Sequence, residues 1–509
     1  MPLREDLVDL IEHDNALAQK LLHDLAGHLP HSADAWLLVA QAHDRRLEFD
    51  QSLAAYRYVL TLDPKHAYAL GGVAFALLSL GQDQAALAAY GQAAAITSNA
   101  HHLRMVGLLQ HRLGQLNDAI TTYERLLSGV KPTSPEINPS LQDLARTLRD
   151  ADRPLAADQH MRHLISRFQA APETVASGLV MFNTGTDRHE WSHYADKGVL
   201  AEVLTRRQAV DPHGARAPES FVLPRDREAL AAFAASDRAP SLYIVKPIRS
   251  SGGQGIELVT QVGEALDRQD VVVQRYIDRP YLVEGRKGHA RIYGLIASVS
   301  PLRAYVYSEG LVRFAPTPYD ASPENAGDVS RHITNTALHT GHPDLIISQD
   351  PSQEDQGVIW TLSALLRRIT ADGGDGDQTF AEISQLVAWF VRQLRAEGLF
   401  ARQAAASPPR AFSPKLFGLD VLVDADGHPW LIEMQRAPAA RGAPLVERVN
   451  GELFCDVFRM SHGPLIEDGM PPDEIARLVA DPQARLEREA QIEAAQRGRF
   501  IALDLGAEV

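Results

Sequence analysis

Cysteine is nearly missing from this chain. Cys455 is the one thiol in 509 residues, which excludes a disulfide framework and any zinc site built from cysteine pairs. Within the apolar run Leu453–Phe458 it reads as a small buried hydrophobe. Long apolar runs are missing too. The longest near-apolar stretch, Leu70 to Leu80, is about half of what a membrane span needs. The opening Met1-Pro-Leu-Arg-Glu-Asp6 carries acids where a signal peptide has an apolar core. Positive charge is in deficit. Fifty Lys and Arg against 65 Asp and Glu leave a net charge of −15, so neither nucleic acid nor an anionic membrane is the expected partner. A cytoplasmic protein is expected. What remains is an ordinary globular composition, 45% hydrophobic and 23% charged, and a length that suggests about three domains.

The first third repeats itself. Trp36 is followed 34 residues later by Leu70 and 33 after that by Leu103. The same spacing relates Ala40, Ala74 and Gly107, then Tyr56, Tyr90 and Tyr123, then Val59, Ala93 and Leu126. Leu80-Gly81 recurs as Leu113-Gly114, where glycine can end a helix. A fourth copy fits after an insertion at Pro132–Pro139, through Leu141, Ala145, Ala157, Met161 and Leu164, and a half-copy precedes them in Ala18, Leu22, Leu25 and Pro30. Each unit reads as two amphipathic helices with small residues at close approaches. The pattern resembles the tetratricopeptide repeat, which implies an all-α solenoid with a concave face for a protein or peptide. A plain helical bundle is the alternative.

From about Ala170 short apolar strands appear, at Leu242–Val245, Val271–Gln274, Arg291–Val299 and Ala304–Tyr307, with helical stretches around Trp360–Ile369 and Thr379–Leu399. This mixture predicts an α+β domain. The segments at 371–377 and 404–409 read as surface loops, and the charged stretch from Asp473 to Arg499 as a terminal packing helix. The expected boundaries are residues 1–170, 171–465 and 466–509.

Four clusters in the second half could carry chemistry. Tyr243-Ile-Val-Lys246-Pro247 followed by Ser250-Ser251-Gly252-Gly253-Gln254-Gly255 is a strand ending in lysine before a glycine-rich loop. That suits a phosphate site, because glycine lets backbone N–H groups approach oxygens; a hairpin turn explains it about as well. Val271 to Ile277 is an apolar strand turning polar, able to offer backbone groups to an adenine edge or simply leaving the core. Leu419-Asp420-Val-Leu-Val-Asp-Ala-Asp426-Gly427-His-Pro-Trp-Leu-Ile-Glu433-Met-Gln435 predicts two strands joined by a two-residue turn at Asp426-Gly427. Counting outward from Ala425 and His428 puts Asp420 opposite Glu433, with Gln435 on the same face. Facing carboxylates destabilise a sheet but suit a hard cation that takes oxygen ligands; the alternative is a register shifted by one residue, or acids that simply stand in water. Finally, Arg286, Lys287, Arg291, Arg303 and Arg313 crowd an acidic chain, followed by His332-Ile-Thr334-Asn335. Singly these are surface arginines; together they suit clamps for phosphoryl and carboxylate groups.

The stretch Val272-Val-Gln-Arg-Tyr-Ile-Asp-Arg-Pro-Tyr-Leu-Val-Glu-Gly-Arg-Lys287 resembles the tubulin–tyrosine ligase-like family, an ATP-grasp group of amino-acid ligases. So do Pro301 to Phe314, His332-Ile-Thr-Asn335 and Trp430-Leu-Ile-Glu433, with Pro218 to Pro224 and Lys197 upstream, from about Val180 to Val446. The resemblance implies an ATP-grasp fold and an ATP- and Mg²⁺-dependent enzyme that joins a free amino acid to a protein or peptide carboxylate through an acyl phosphate. The repeats would recruit that acceptor. It further implies that Lys246 and Ser250, Ser251, Gly252, Gly253, Gln254 and Gly255 hold ATP phosphates. Gln274, Arg275, Tyr276 and Ile277 would receive adenine, and Lys287 would face the nucleotide. Asp420, Glu433 and Gln435 would bind magnesium. Arg291, Arg313, Thr334 and Asn335 would orient the acceptor carboxylate and incoming amino acid, with Lys197 as a lesser candidate. The chain departs from the family in carrying His289 for Asp, Gln435 for Asn and Ala437 for Ser. A catalytically inactive or nucleotide-sensing scaffold is the alternative reading.

Overall fold

The computed structural model describes residues 24, 27–45, 48–131, 134, 136–170, 193–211, 216–248, 250, 253–399, 401, 414–436, 442–461, 464–467 and 469–506. Ser251, Gly252 and Ala437, the half-repeat at Ala18, Leu22 and Leu25, and the segment 404–409 lie outside these residues. The chain divides into two compact units, Met1–Ser166 with Ile466–Ala480, and Arg167–Leu465 with Asp481–Val509.

The first unit is helical. It contains α1 (Ala33–Arg45), α2 (Phe49–Leu62), α3 (Ala67–Ser79), α4 (Asp83–Thr97), α5 (Ala100–Arg112), α6 (Leu116–Gly129), α7 (Ile137–Asp150) and α8 (Pro154–Ala170). Successive helices from α1 to α7 pack on one another, as in a solenoid. The recurring positions explain why. Ala40, Ala74, Val59, Ala93, Leu126 and the three tyrosines Tyr56, Tyr90 and Tyr123 are all buried. Gly72 sits against the Tyr56 ring and Gly107 against the Tyr123 ring, where an added Cβ would come within 2.4 and 2.8 Å. Helix ends recur in the same way. Gly81 (φ 72°) and Gly114 (φ 79°) adopt the left-handed conformation. Their N–H groups donate to Leu78 and His111, while Gln82 and Gln115 donate to Leu77 and Gln110, the paired bonds of a Schellman stop. In the fourth copy Asp152 (φ 57°) takes the glycine's place. Ile466 is held to α8 by Asp158, which accepts its N–H at 2.7 Å, and by Arg162, which donates to its carbonyl at 2.6 Å. The helix α14 (Pro472–Ala480) falls within this unit.

The second unit holds two antiparallel sheets. One has the order β1 (Ser220–Leu223), β4 (Val271–Arg275), β2 (Tyr243–Pro247), β3 (Glu257–Val259). The other runs β10 (Pro429–Gln435), β9 (Lys415–Val423), β6 (Arg286–Val299), β7 (Leu302–Phe314), β11 (Phe500–Ala502), with β5 (Leu282–Val283) on β6 and β8 (Ile359–Thr361) on β7. Helices α9 (Lys197–Val210), α10 (Arg227–Ala234), α11 (Leu362–Ala371), α12 (Gly376–Ala396), α13 (Pro444–Ser461) and α15 (Pro482–Gln496) belong to it, with a single helical turn at Val329–His332. All nine residues of β9 are buried, in an apolar strand that opens on Lys415 and carries Asp420 in its second half.

The stretch from Asp473 to Arg499, expected as one terminal helix, forms two, α14 and α15, and the segment after it adds a strand, in which Phe500 pairs with Tyr307. One arginine also changes role. Arg303, grouped above with the anion clamps, is forked to Glu493 of α15 at 2.9 and 2.8 Å, and Tyr305 donates to the same carboxylate at 3.1 Å. It anchors the terminal helix. Among the described residues no helix is long and apolar enough to cross a membrane.

Candidate active site

The β9–β10 hairpin positions the acids by two deviations that cancel. The turn is longer than a two-residue loop. Asp424 donates its N–H to His428 O at 2.9 Å and Gly427 donates to Asp424 O at 3.0 Å, with Gly427 at φ 85°, the geometry of a three-residue loop with a left-handed glycine. The Asp424 carboxylate braces it, accepting from the N–H groups of Asp426 and His428 and from Trp430 Nε1. This turn shifts the near pairs by one residue, so that Val423 faces Pro429. A bulge between Leu431 and Glu433 then restores the register, and Glu433 faces Asp420 as counted from the sequence. The strand is apolar from Trp430 through Ile432 with no period-2 alternation, so the sequence does not locate the bulge within it.

Asp420 is the middle of a row across three strands, opposite Glu433 on β10 and Arg291 on β6. Arg291 forks it, with Nε donating to Oδ1 and Nη2 to Oδ2 at 3.1 Å. Burial pushes the Asp420 carboxyl up, but Arg291 and the neighbouring His289 and Arg313 together hold it below its ordinary value. Gly418 makes room for this arginine: an added Cβ would lie 2.6 Å from Arg291 Cδ and 3.5 Å from the Cβ of Gln435, its cross-strand partner.

Lys246 arrives from the other sheet. Its Nζ donates to Gln274 Oε1 at 2.8 Å and reaches the Ile432 carbonyl at the bulge at 3.4 Å. Burial lowers its pKa to about 8 against the raising effect of Glu433. Lys287 donates to Tyr276 OH at 2.9 Å with its ammonium 4.2 Å from that ring's centre, and burial together with Lys246 lowers it to about 7. Lys197, the first residue of α9, donates to the Ser250 carbonyl and stands 3.9 Å from Glu433 Oε1.

Other expected site residues are placed less simply. Gln274 donates through Nε2 to Ser220 Oγ at 2.8 Å, so its side chain orients Lys246. The N–H groups of Arg275 and Tyr276 are committed to the carbonyls of Glu219 and Leu242 and are not available to a base; Ile277 is the next residue along. Gly253 (φ 84°) and Gly255 (φ 67°) need the left-handed conformation, and Gly253 abuts Leu338 and Asn335. Gln254 lies between them in the turn. Asn335 Oδ1 caps the following turn by accepting from Ala337 N at 3.1 Å. Thr334 shares a 2.5 Å hydrogen bond with His289 Nδ1, whose pKa burial lowers to about 4 despite Asp420 nearby. Arg313, opposite His289 in the ladder, is different. Its buried Nη1 has no hydrogen-bond partner among the described residues, and burial together with Arg291 lowers its pKa.

A buried guanidinium whose Nη1 has no hydrogen-bond partner among the described residues, next to a carboxylate pair and two desolvated lysines, is an arrangement for binding anions around a cation. Residues 187–470 match the Tubulin-tyrosine ligase family. The chain belongs to the tubulin-tyrosine ligase family. It is 32% identical to tubulin polyglutamylase TTLL5 of Homo sapiens over 257 residues, 48% of this chain and 19% of that protein. It is 33% identical to tubulin polyglutamylase ttll-5 of Caenorhabditis elegans over 269 residues, 49% of this chain and 36% of the relative. With tubulin monoglutamylase TTLL4 of Homo sapiens the identity is 31% over 247 residues, 48% of this chain and 20% of that one. The match to this family therefore spans well under two thirds of these relatives' lengths. Within the tubulin-tyrosine ligase segment the sequence left two contributors unassigned: the Ile432 carbonyl, exposed to Lys246 by the bulge, and His332, which bonds to Tyr276. Among the described residues no three His, Cys, Asp or Glu side chains are grouped for a metal; the available donors are two carboxylates and the Gln435 amide.

Proposed function

We propose that this chain is an ATP- and Mg²⁺-dependent ligase that joins glutamate to a carboxylate of a protein or peptide. The observation that carries the reading is the Arg291–Asp420–Glu433 row, lying where Lys246 arrives from the second sheet. The relatives' names supply glutamate as the amino acid and tubulin as a first acceptor to test.

Asp420, Glu433 and Gln435 fit magnesium by donor chemistry, two carboxylates and an amide oxygen on neighbouring strands. When bound, Mg·ATP would supply the phosphoryl group that activates the acceptor carboxylate as an acyl phosphate with release of ADP, and the amino acid's amine would then displace inorganic phosphate to form the amide. The chain's part is binding and orientation. Lys246, Lys287, Ser250 and the loop through Gly255 hold the nucleotide, with adenine near Tyr276 and Ile277. Two lysines out of water recover full charge against phosphate, and that gain is realised only with the polyanion present. Arg313 and Arg291, with Thr334 and Asn335, orient the two carboxylates. The stacked helices are tetratricopeptide repeats that recruit the acceptor. Supporting this is an open groove of about 530 Å³ lined by Asp44, Tyr68, Gly71, Phe75, His101 and His102, with Tyr68 69% exposed.

The test is ADP formation by purified protein with glutamate and tubulin or acidic peptides, beside a thermal melt with and without Mg·ATP. Nucleotide at 100 times its Kd stabilises by about 2.7 kcal/mol. Glu433→Ala should lose both the magnesium-dependent shift and turnover, the latter by about a hundredfold or more. A second reading, a nucleotide-sensing scaffold, is favoured by Arg291 occupying both Asp420 oxygens and by His289. It predicts the melt shift without turnover, and turnover gained in the His289→Asp, Gln435→Asn double variant.

A further inference from the structure

We propose that His332 is a positioning residue for the nucleotide-facing Lys287, acting through the Tyr276 hydroxyl; this rests on the nucleotide reading above. His332 is almost wholly buried. Its Nε2 stands 3.0 Å from the Asn325 carbonyl, which can only accept, so Nε2 carries the proton. Burial lowers the pKa of His332, so the ring is neutral and Nδ1 is a bare acceptor. Tyr276 OH lies 3.0 Å from that Nδ1 and must therefore donate to it. With its proton committed there, the hydroxyl presents a lone pair to Lys287 Nζ, 2.9 Å away. The order of protons runs one way, from Lys287 to Tyr276 to His332 to the Asn325 carbonyl.

That order matters because of what its loss would do. Without an acceptor at Nδ1, the Tyr276 proton has to turn to the Tyr319 hydroxyl, its other side-chain partner, or toward Lys287, and in either case the lone pair that faced the ammonium is no longer held in place. Lys287 is buried, lies near a second lysine and is already depressed in pKa, so it has little other support in place. The ring of His332 also packs edge-on against Tyr276 and Tyr319, each with centroids 5.7 Å away, so a mere packing role has to be separated from the proton-ordering one.

Two substitutions in the full-length protein separate them. His332→Phe keeps a ring and removes the acceptor; His332→Asn removes the ring but can place Oδ1 where Nδ1 was. Calorimetric Kd for Mg·ATP should rise about tenfold in His332→Phe, the lower end of what losing an outer partner costs at a bound ion. The same rise is expected in Tyr276→Phe, and the double variant should be no worse than Tyr276→Phe alone. His332→Asn should stay within about threefold of the native protein, and the KM for the amino acid should not move in any of them. The proposal is overturned by native-like affinity in His332→Phe. It is equally overturned if the two losses multiply in the double variant, or if a folded His332→Asn loses affinity as Tyr276→Phe does. Native protein that binds no Mg·ATP would remove the nucleotide reading and this inference with it, whereas native binding with an unaffected His332→Phe would remove this inference alone.

Discussion

Arg291 and Asp420 face each other across β6 and β9 and are joined by a two-point fork at the centre of the sheet. The fork depends on a glycine two residues away in β9. Replacing Gly418 by alanine would put a methyl 2.6 Å from Arg291 Cδ, forcing the arginine off its partner. Thermal unfolding should show a loss of about 1–3 kcal/mol, the cost of overpacking a filled interior, accompanied by loss of ligase turnover. Native stability in Gly418→Ala would mean that the arginine has another place to lie.

Arg313 presents the opposite case, a buried donor kept at a cost. Its Nη1 has no hydrogen-bond partner among the described residues, and leaving such a group unsatisfied costs about 1–3 kcal/mol. Arg313→Met should therefore raise the melting temperature of the free protein while abolishing the proposed glutamate transfer, a trade of stability against activity. A fall in melting temperature would show that the guanidinium is satisfied in the free protein.

The two desolvated lysines should make the proposed nucleotide binding pH-dependent. Lys246 and Lys287 sit at about 8 and about 7 in the fold against 10.5 for a free lysine. Between roughly 7 and 10.5 the unfolded chain thus holds more protons than the native one, and the free protein gains stability as pH rises through that window. Phosphate pulls the other way. Mg·ATP binding near pH 8 should take up protons, seen as a dependence of the binding heat on the buffer's ionisation enthalpy, and affinity should weaken above that pH. Lys287→Met should remove part of the uptake. Binding heat that is independent of buffer would contradict charged lysines in the complex.

Arg303 should behave unlike the arginines of the site. Arg303→Ala strands the buried Glu493 carboxylate, and breaking such a pair from one side costs about 3 kcal/mol or more. Denaturant titration should show that loss, while the Kd for Mg·ATP stays within about twofold of the native value. A changed Kd with unchanged stability would return Arg303 to the anion site.

The helical repeats, the strands and the facing of Asp420 and Glu433 were legible in the sequence because each is written in local terms. Spacing near 34 residues, alternation along a strand, glycines at helix stops and an Asp-Gly turn all concern residues close along the chain. Even there the agreement at Glu433 came through two offsetting departures, a longer turn and a bulge. The assignment of partners was not legible. Gln274 serving Lys246, Tyr276 joined to His332, and Arg303 bound 190 residues away to Glu493 leave no local mark.

By itself the sequence determined the helical stack and most of the strands, since backbone preference and apolar period act over about ten residues. Only the tertiary structure decided which arginine holds an acid, which holds the terminal helix and which keeps a buried Nη1 with no hydrogen-bond partner among the described residues. Those roles depend on where the chain returns, and burial then turns each pairing, or its absence, into a large difference in charge stability.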